Sequence, residues 1–182
     1  MKASVYIATS LDGFIARNNG SLDWLPGSDG NHENNSEDYG FQKFMDSVDV
    51  LVMGRKTYEM VLSFGQWPYG TKRVVVLSKT LAQISETLPQ TVELKSASPA
   101  ELFQELRTSG AKHIYVDGGS TIQGFLRAGL IHEITITRVP VLIGSGIPLF
   151  GAIEKDLPLK HIETRSFDSG FVQSRYALPT KR

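Results

Sequence analysis

Ile114-Tyr115-Val116-Asp117-Gly118-Gly119-Ser120-Thr121 decides the fold. A short apolar run meets a glycine pair, and Ser120 opens a segment with Ile122, Phe125 and Leu126 at helical spacing and Gly129 as its stop. That is a strand, a turn and a helix. The same design stands earlier in Val50-Leu51-Val52-Met53-Gly54-Arg55-Lys56-Thr57-Tyr58, where Tyr58, Val61 and Leu62 form the inward stripe of the following helix. Buried strands that feed helices through glycine turns are the repeating unit of α/β domains.

Ala3 to Thr9 alternates Val5 and Ile7 with Ser4 and Tyr6 as a strand does, and ends in the turn Leu11-Asp12-Gly13. From Asn18 to Asn35 the chain is rich in Gly, Asn, Ser and Asp around Trp24, Leu25 and Pro26, a polar loop of a length more often functional than not. Phe41, Phe44, Met45 and Val48 mark a helix with Ser36 as its N-cap, and Val74 to Leu77 is another buried strand. Ser98-Pro99-Ala100-Glu101 combines an N-cap, a first-turn proline and a capping-box glutamate ahead of Leu102, Phe103, Leu106 and Gly110. Ile131 to Val139 alternates as a strand, and His161 to Leu178 reads as a hairpin turning at Asp168-Ser169-Gly170. The expected fold is a single α/β domain over residues 1–182, three-layer α/β/α, with a mostly parallel central sheet and an antiparallel C-terminal hairpin.

With 182 residues, 41% hydrophobic, the chain suffices for one sizeable core. Lys plus Arg and Asp plus Glu balance at 19 each, which provides no global field for nucleic acid or an anionic membrane, so any anion must be held locally. The absence of cysteine excludes disulfides, thiolate nucleophiles and Cys-based metal sites. His32, His113, His132 and His161 have no metal-ligand spacing, so no metal is expected. No apolar run reaches membrane-spanning length and no leader pattern precedes Ala3, so the sequence reads as a cytoplasmic protein.

Both glycine turns are candidate anion cradles, because a helix start offers unpaired N–H groups and glycine admits a phosphate closely. Each is equally accounted for as an ordinary strand-to-helix turn. The pattern is not the Rossmann fingerprint: after Gly118 and Gly119 the next glycine is Gly124, late in the chain. No acidic residue ends the Val74–Leu77 segment to accept a ribose hydroxyl, and Ser78 and Lys79 stand there instead.

Ala8 to Ala16, Gly54 to Glu59, Val74 to Lys79 and Val116 to Thr121, in this order, resemble the dihydrofolate reductase superfamily. Thr137-Arg138-Val139-Pro140 followed by Ile143-Gly144-Ser145-Gly146-Ile147-Pro148-Leu149-Phe150 is similar to the C-terminal reductase domain of bifunctional riboflavin-biosynthesis proteins. The resemblance implies an NADPH-dependent reductase of a heteroaromatic, pyrimidine or pterin-like substrate, and a homodimer. It implies that Gly118, Gly119, Ser120, Thr121 and Ile122 hold the pyrophosphate with Gly54, Arg55, Lys56 and Thr57. Leu77, Ser78 and Lys79 would meet the adenosine phosphate; Ala8, Gly13 and Ile15 would line the nicotinamide; and Trp24 would close over it.

By the same resemblance, an ungapped count back from Gly54 puts Asp38 where folate reductases carry the carboxylate that engages the substrate ring. Partial burial would raise its pKa toward proton donation. A solvated acid in a helix's first turn accounts for it equally well. Gln42, one turn on, replaces an aromatic residue of the folate enzymes and puts folate itself in doubt. Arg17, Lys43 and Arg138 are weak candidates for a second phosphate pocket, and Trp67-Pro68-Tyr69 is either a stacking surface or a plug over the core. A dihydrofolate or other pterin reductase is the second enzymatic reading, and a non-catalytic NADPH-binding protein the third.

Overall fold

Val50–Met53, Val74–Val76 and Ile114–Val116 are buried on both faces, which requires layers above and below the sheet they form. The computed structural model describes residues 1–26 and 37–179; Ser36 and residues 27–35 of the polar loop lie outside them. In chain order the elements are β1 (Lys2–Ser10), β2 (Phe14–Ala16), α1 (Phe41–Asp46), β3 (Val50–Gly54), α2 (Arg55–Ser63), β4 (Arg73–Leu77) and β5 (Val92–Lys95). There follow α3 (Pro99–Thr108), β6 (His113–Asp117), α4 (Gly119–Arg127), β7 (Glu133–Val139), β8 (Ile147–Pro148), β9 (Lys160–Ser166) and β10 (Val172–Ala177). The main sheet has the order β5-β4-β3-β6-β1-β7-β10-β9. Strands β5 through β7 in that order run parallel, and the hairpin β9–β10 adds the antiparallel edge.

Register assigns each side chain a face. Ser4 pairs with Tyr115 and Leu51 with Tyr115, so Tyr6, Ala8, Tyr115, Asp117, Leu51 and Met53 share one face. Met45 and Val48 from the α1 region and Tyr58 of α2 close over it. Val5, Val52, Val75 and Val116 face the other way, against Leu102 and Leu106 of α3 and Ile122 and Phe125 of α4. Those four helix side chains are fully buried, and each contributes about 1.5–3 kcal/mol of transfer free energy. The expected three-layer α/β/α arrangement is the observed one.

Local chemistry explains the helix starts. Ser98 Oγ accepts the Glu101 N–H at 3.3 Å while the Glu101 carboxylate accepts the Ser98 N–H at 2.8 Å, the reciprocal cap that the sequence announces. Helix α1 is only six residues long and starts at Phe41. The Asp38 carboxylate ties its start by accepting the N–H groups of Gly40 at 2.8 Å and Gln42 at 2.9 Å. Trp67 packs edge-on against both Tyr58 and Tyr69, so this segment plugs the core.

Candidate functional site

Parallel strands deliver their C-terminal ends to one edge of the sheet. Gly54 pairs with Leu77, Met53 with Asp117 and Ser10 with Val139, so the turns after β1, β3, β4 and β6 lie side by side. The two glycine turns interlock. A Cβ on Gly54 would stand 2.7 Å from Thr121 Oγ1, and one on Gly118 would penetrate Thr57 Oγ1. Each helix thus presses its first-turn threonine into the glycine of the other. Neither α2 nor α4 carries a side-chain cap, in contrast to α3. Two adjacent helix starts with first-turn N–H groups available to an outside acceptor fit a diphosphate.

The other expected cofactor positions surround this pair. Ile15 covers the glycines closely: a Cβ on Gly119 would come within 2.9 Å of Ile15 Cδ1. Gly13 takes a φ of 88° and faces open space. Ala8 lies on the same sheet face as Asp117. At the β4 end, Ser78 Oγ accepts the N–H groups of Thr80 at 3.2 Å and Leu81 at 3.0 Å. Arg55 reaches across from α2 to donate to Thr80 Oγ1 at 3.1 Å, and Lys56 and Lys79 are exposed. Arg55 and the Ser78–Lys79 turn therefore converge although they are far apart in sequence.

The substrate-side expectations fare differently. Asp38 is exposed, and the Gln42 and then the Gly40 N–H groups hold its carboxyl below the usual carboxylate range. The expectation that burial raises the Asp38 carboxyl is corrected: it is exposed, and each oxygen accepts one N–H at the start of α1. Gln42 is also exposed and donates to Asp46 at 2.8 Å. Trp24 is buried against Val139 and Phe171, and its indole N–H has no partner among the described residues. Arg17 pairs with Asp23, Lys43 is exposed on α1, and Arg138 lies on the opposite sheet face from Asp117, so the three make no common pocket. His113 is held by Ser4 and Ser47, and His132 accepts the Ala3 N–H.

Two further acids, Asp117 and Asp12, stand at this edge of the sheet. Asp117 ends β6 immediately before the glycine pair, and its carboxylate accepts the Gly118 N–H at 2.8 Å. Burial pushes its carboxyl up to about 6, against the lowering effect of that N–H and of Tyr115. Burial and then the Asp117 charge raise the phenols of Tyr69 and Tyr115, which marks both as neighbours of this carboxylate. Asp12 clamps a loop: its carboxylate accepts Ser10 Oγ–H at 2.5 Å, the Ile143 N–H at 3.3 Å and the Gly144 N–H at 2.8 Å. The Ser10 hydroxyl, then the two N–H groups, keep this carboxyl below its ordinary value. The tie is therefore intact above the usual carboxylate range and lost as pH falls through the depressed value. Asp12→Ala is expected to speed hydrogen exchange at the Ile143 and Gly144 amides about tenfold while the β6 amides keep their protection.

Fold and site together define an α/β domain with a mostly parallel sheet and two interlocked glycine turns at its C-terminal edge. The chain belongs to the RibD C-terminal domain family, which matches residues 2–173. It is similar to the crystal structure of a protein from Shewanella sp. PV-4 ascribed to riboflavin biosynthesis. That match has 42% identity and a TM-score of 0.89, and covers 98% of this chain and 99% of the other. Protein YwjB of Bacillus subtilis (strain 168) is 32% identical over 96% of this chain and 97% of its own length. The riboflavin biosynthesis protein RibD of Corynebacterium ammoniagenes is 26% identical over 77% of this chain, which corresponds to 43% of that longer protein. No helix among the described residues is long and apolar enough to cross a membrane.

Proposed function

We propose that this protein is an NADPH-dependent reductase of a small aminopyrimidine substrate, of the kind reduced by 5-amino-6-(5-phosphoribosylamino)uracil reductase, and that it works in the cytoplasm as a homodimer. The observation that carries the reading is the pair of interlocked, uncapped helix starts at the C-terminal sheet edge. Gly54 to Thr57 and Gly118 to Ile122 would hold the diphosphate, and Arg55, Ser78 and Lys79 the phosphate on the adenosine. The nicotinamide supplies a hydride when bound.

Hydride addition to a carbon of a C=N or C=O group leaves the adjoining heteroatom in need of a proton. Asp117, half-buried beside the glycine pair and on the face shared with Ala8, would give it. Its carboxyl value of about 6 leaves a usable protonated fraction near neutral pH. Gln42, which replaces an aromatic residue of the folate enzymes, is exposed and donates to Asp46. This favours the pyrimidine over the folate reading.

Calorimetric titration tests the cofactor. NADPH is expected to bind at least tenfold more tightly than NADH, since two charge-assisted contacts to the 2′-phosphate contribute on the order of 1.5–3 kcal/mol each before screening. Arg55→Ala combined with Lys79→Ala should erase most of the difference. Equal affinities in the wild-type protein would remove these residues from the phosphate site. NADPH consumption with an aminopyrimidine ribotide but not with dihydrofolate tests the substrate, and consumption with neither would leave a binding protein without turnover.

A further inference from the structure

We infer that Glu59 sets the strength of the dinucleotide preference by opposing the adenosine 2′-phosphate at Arg55; the inference rests on the NADPH reading of this site. Glu59 stands one turn after Arg55 on α2, with Oε1 2.6 Å from Arg55 Nε, and both side chains are about half exposed. The far side of the same guanidinium donates to Thr80 Oγ1 at 3.1 Å. Arg55 thus spans from the Glu59 carboxylate to the β4 turn. In that turn Ser78 Oγ already accepts two N–H groups, which leaves its own proton for an incoming oxygen. A phosphate monoester drawn to Arg55, Ser78 and Lys79 would arrive roughly one guanidinium width from a fixed negative charge.

Two effects of Glu59 compete. It orients the guanidinium, which favours binding, and it repels the phosphate, which opposes binding. Exposed ion pairs at this helical spacing are weak, so losing the orientation changes binding by less than about twofold. Repulsion between a carboxylate and a phosphate of nearly two charges, about 5–6 Å away and half screened at physiological salt, amounts to about three- to tenfold. Repulsion wins. Glu59→Gln separates the two, because the amide oxygen still accepts from Arg55 Nε while the charge is gone.

The experiment is calorimetric titration of wild-type protein, Glu59→Gln and Arg55→Ala with NADPH and with NADH, at low and at about 1 M salt. Glu59→Gln is expected to bind NADPH about three- to tenfold more tightly and NADH within about twofold of wild type, with the gain shrinking at high salt. Weaker NADPH binding in Glu59→Gln, or an equal change for both dinucleotides, overturns the inference and leaves Glu59 an orienting residue only. If Arg55→Ala abolishes the wild-type preference while Glu59→Gln leaves it unchanged, Glu59 is excluded and the cofactor site stands. If wild-type protein shows no preference and Arg55→Ala alters neither affinity, the phosphate site itself is wrong and the inference falls with it.

Discussion

Asp117→Asn is expected to melt several degrees above the wild-type protein at neutral pH and to turn over at least about a hundredfold more slowly. The unfolded chain holds this carboxyl near 3.8, whereas burial raises it to about 6 in the folded protein. The folded state therefore binds the proton more tightly, and stability rises as pH falls from about 6 toward 3.8. Above 6 the wild-type protein carries the whole cost of a buried charge, up to about 3 kcal/mol for a shift of some two units. Asparagine removes the charge yet keeps an oxygen for the Gly118 N–H, so the turn survives. It cannot release a proton, so the step that protonates the substrate fails. Wild-type kcat/KM should accordingly decline as pH rises through about 6. A variant that melts and turns over like wild type would show that Asp117 is neither a strained nor a working acid.

Gly118→Ala is expected to cost about 3 kcal/mol or more, equivalent to roughly 6–12 °C in Tm for a chain of this size. Two penalties add. The φ of 87° is a conformation that L side chains rarely adopt, and the new methyl would overlap Thr57 Oγ1. Two controls separate them. Gly13→Ala has a similar φ of 88° but open space around its Cβ, so it should lose only about 1–2 kcal/mol. Gly118→Ala with Thr57→Ala removes the overlap but not the backbone strain, and should recover about half of the loss in a double-mutant cycle. A single Gly118→Ala variant as stable as Gly13→Ala would mean that the two turns do not interlock.

The strand-turn-helix units were legible because their signals are local. The uninterrupted apolar runs at Val50, Val74 and Ile114 could be satisfied only between two layers, and the Ser98–Glu101 cap is complete within four residues. Elements defined by partners were harder to see. Val92–Lys95 forms the sheet edge on the strength of its pairing with β4, and the two-residue β8 exists only against β2. The site divides in the same way. Residues proposed for the cradle stand in recognisable turns, which the sheet sets side by side. Asp38 was placed by counting along the chain, yet its role follows from the nearest free N–H groups, which are those of its own helix. Asp117 was in plain view within the glycine motif. Its chemistry comes from burial next to Tyr69 and Tyr115, and no spacing along the chain encodes that.

The interlocked turns also bear on how the molecule is assembled. Gly54 and Gly118 lie more than sixty residues apart, and each approaches the other helix only after β3 and β6 have paired. Neither supersecondary unit can present half a cradle in advance, since the surface that would receive the diphosphate is created by their docking. Under the proposed cofactor reading, nucleotide recognition would be a late product of folding, tied to contacts more than sixty residues apart. A ligand gripped there stabilises the whole sheet and not one loop, and a nascent or partly unfolded chain has no means of holding it.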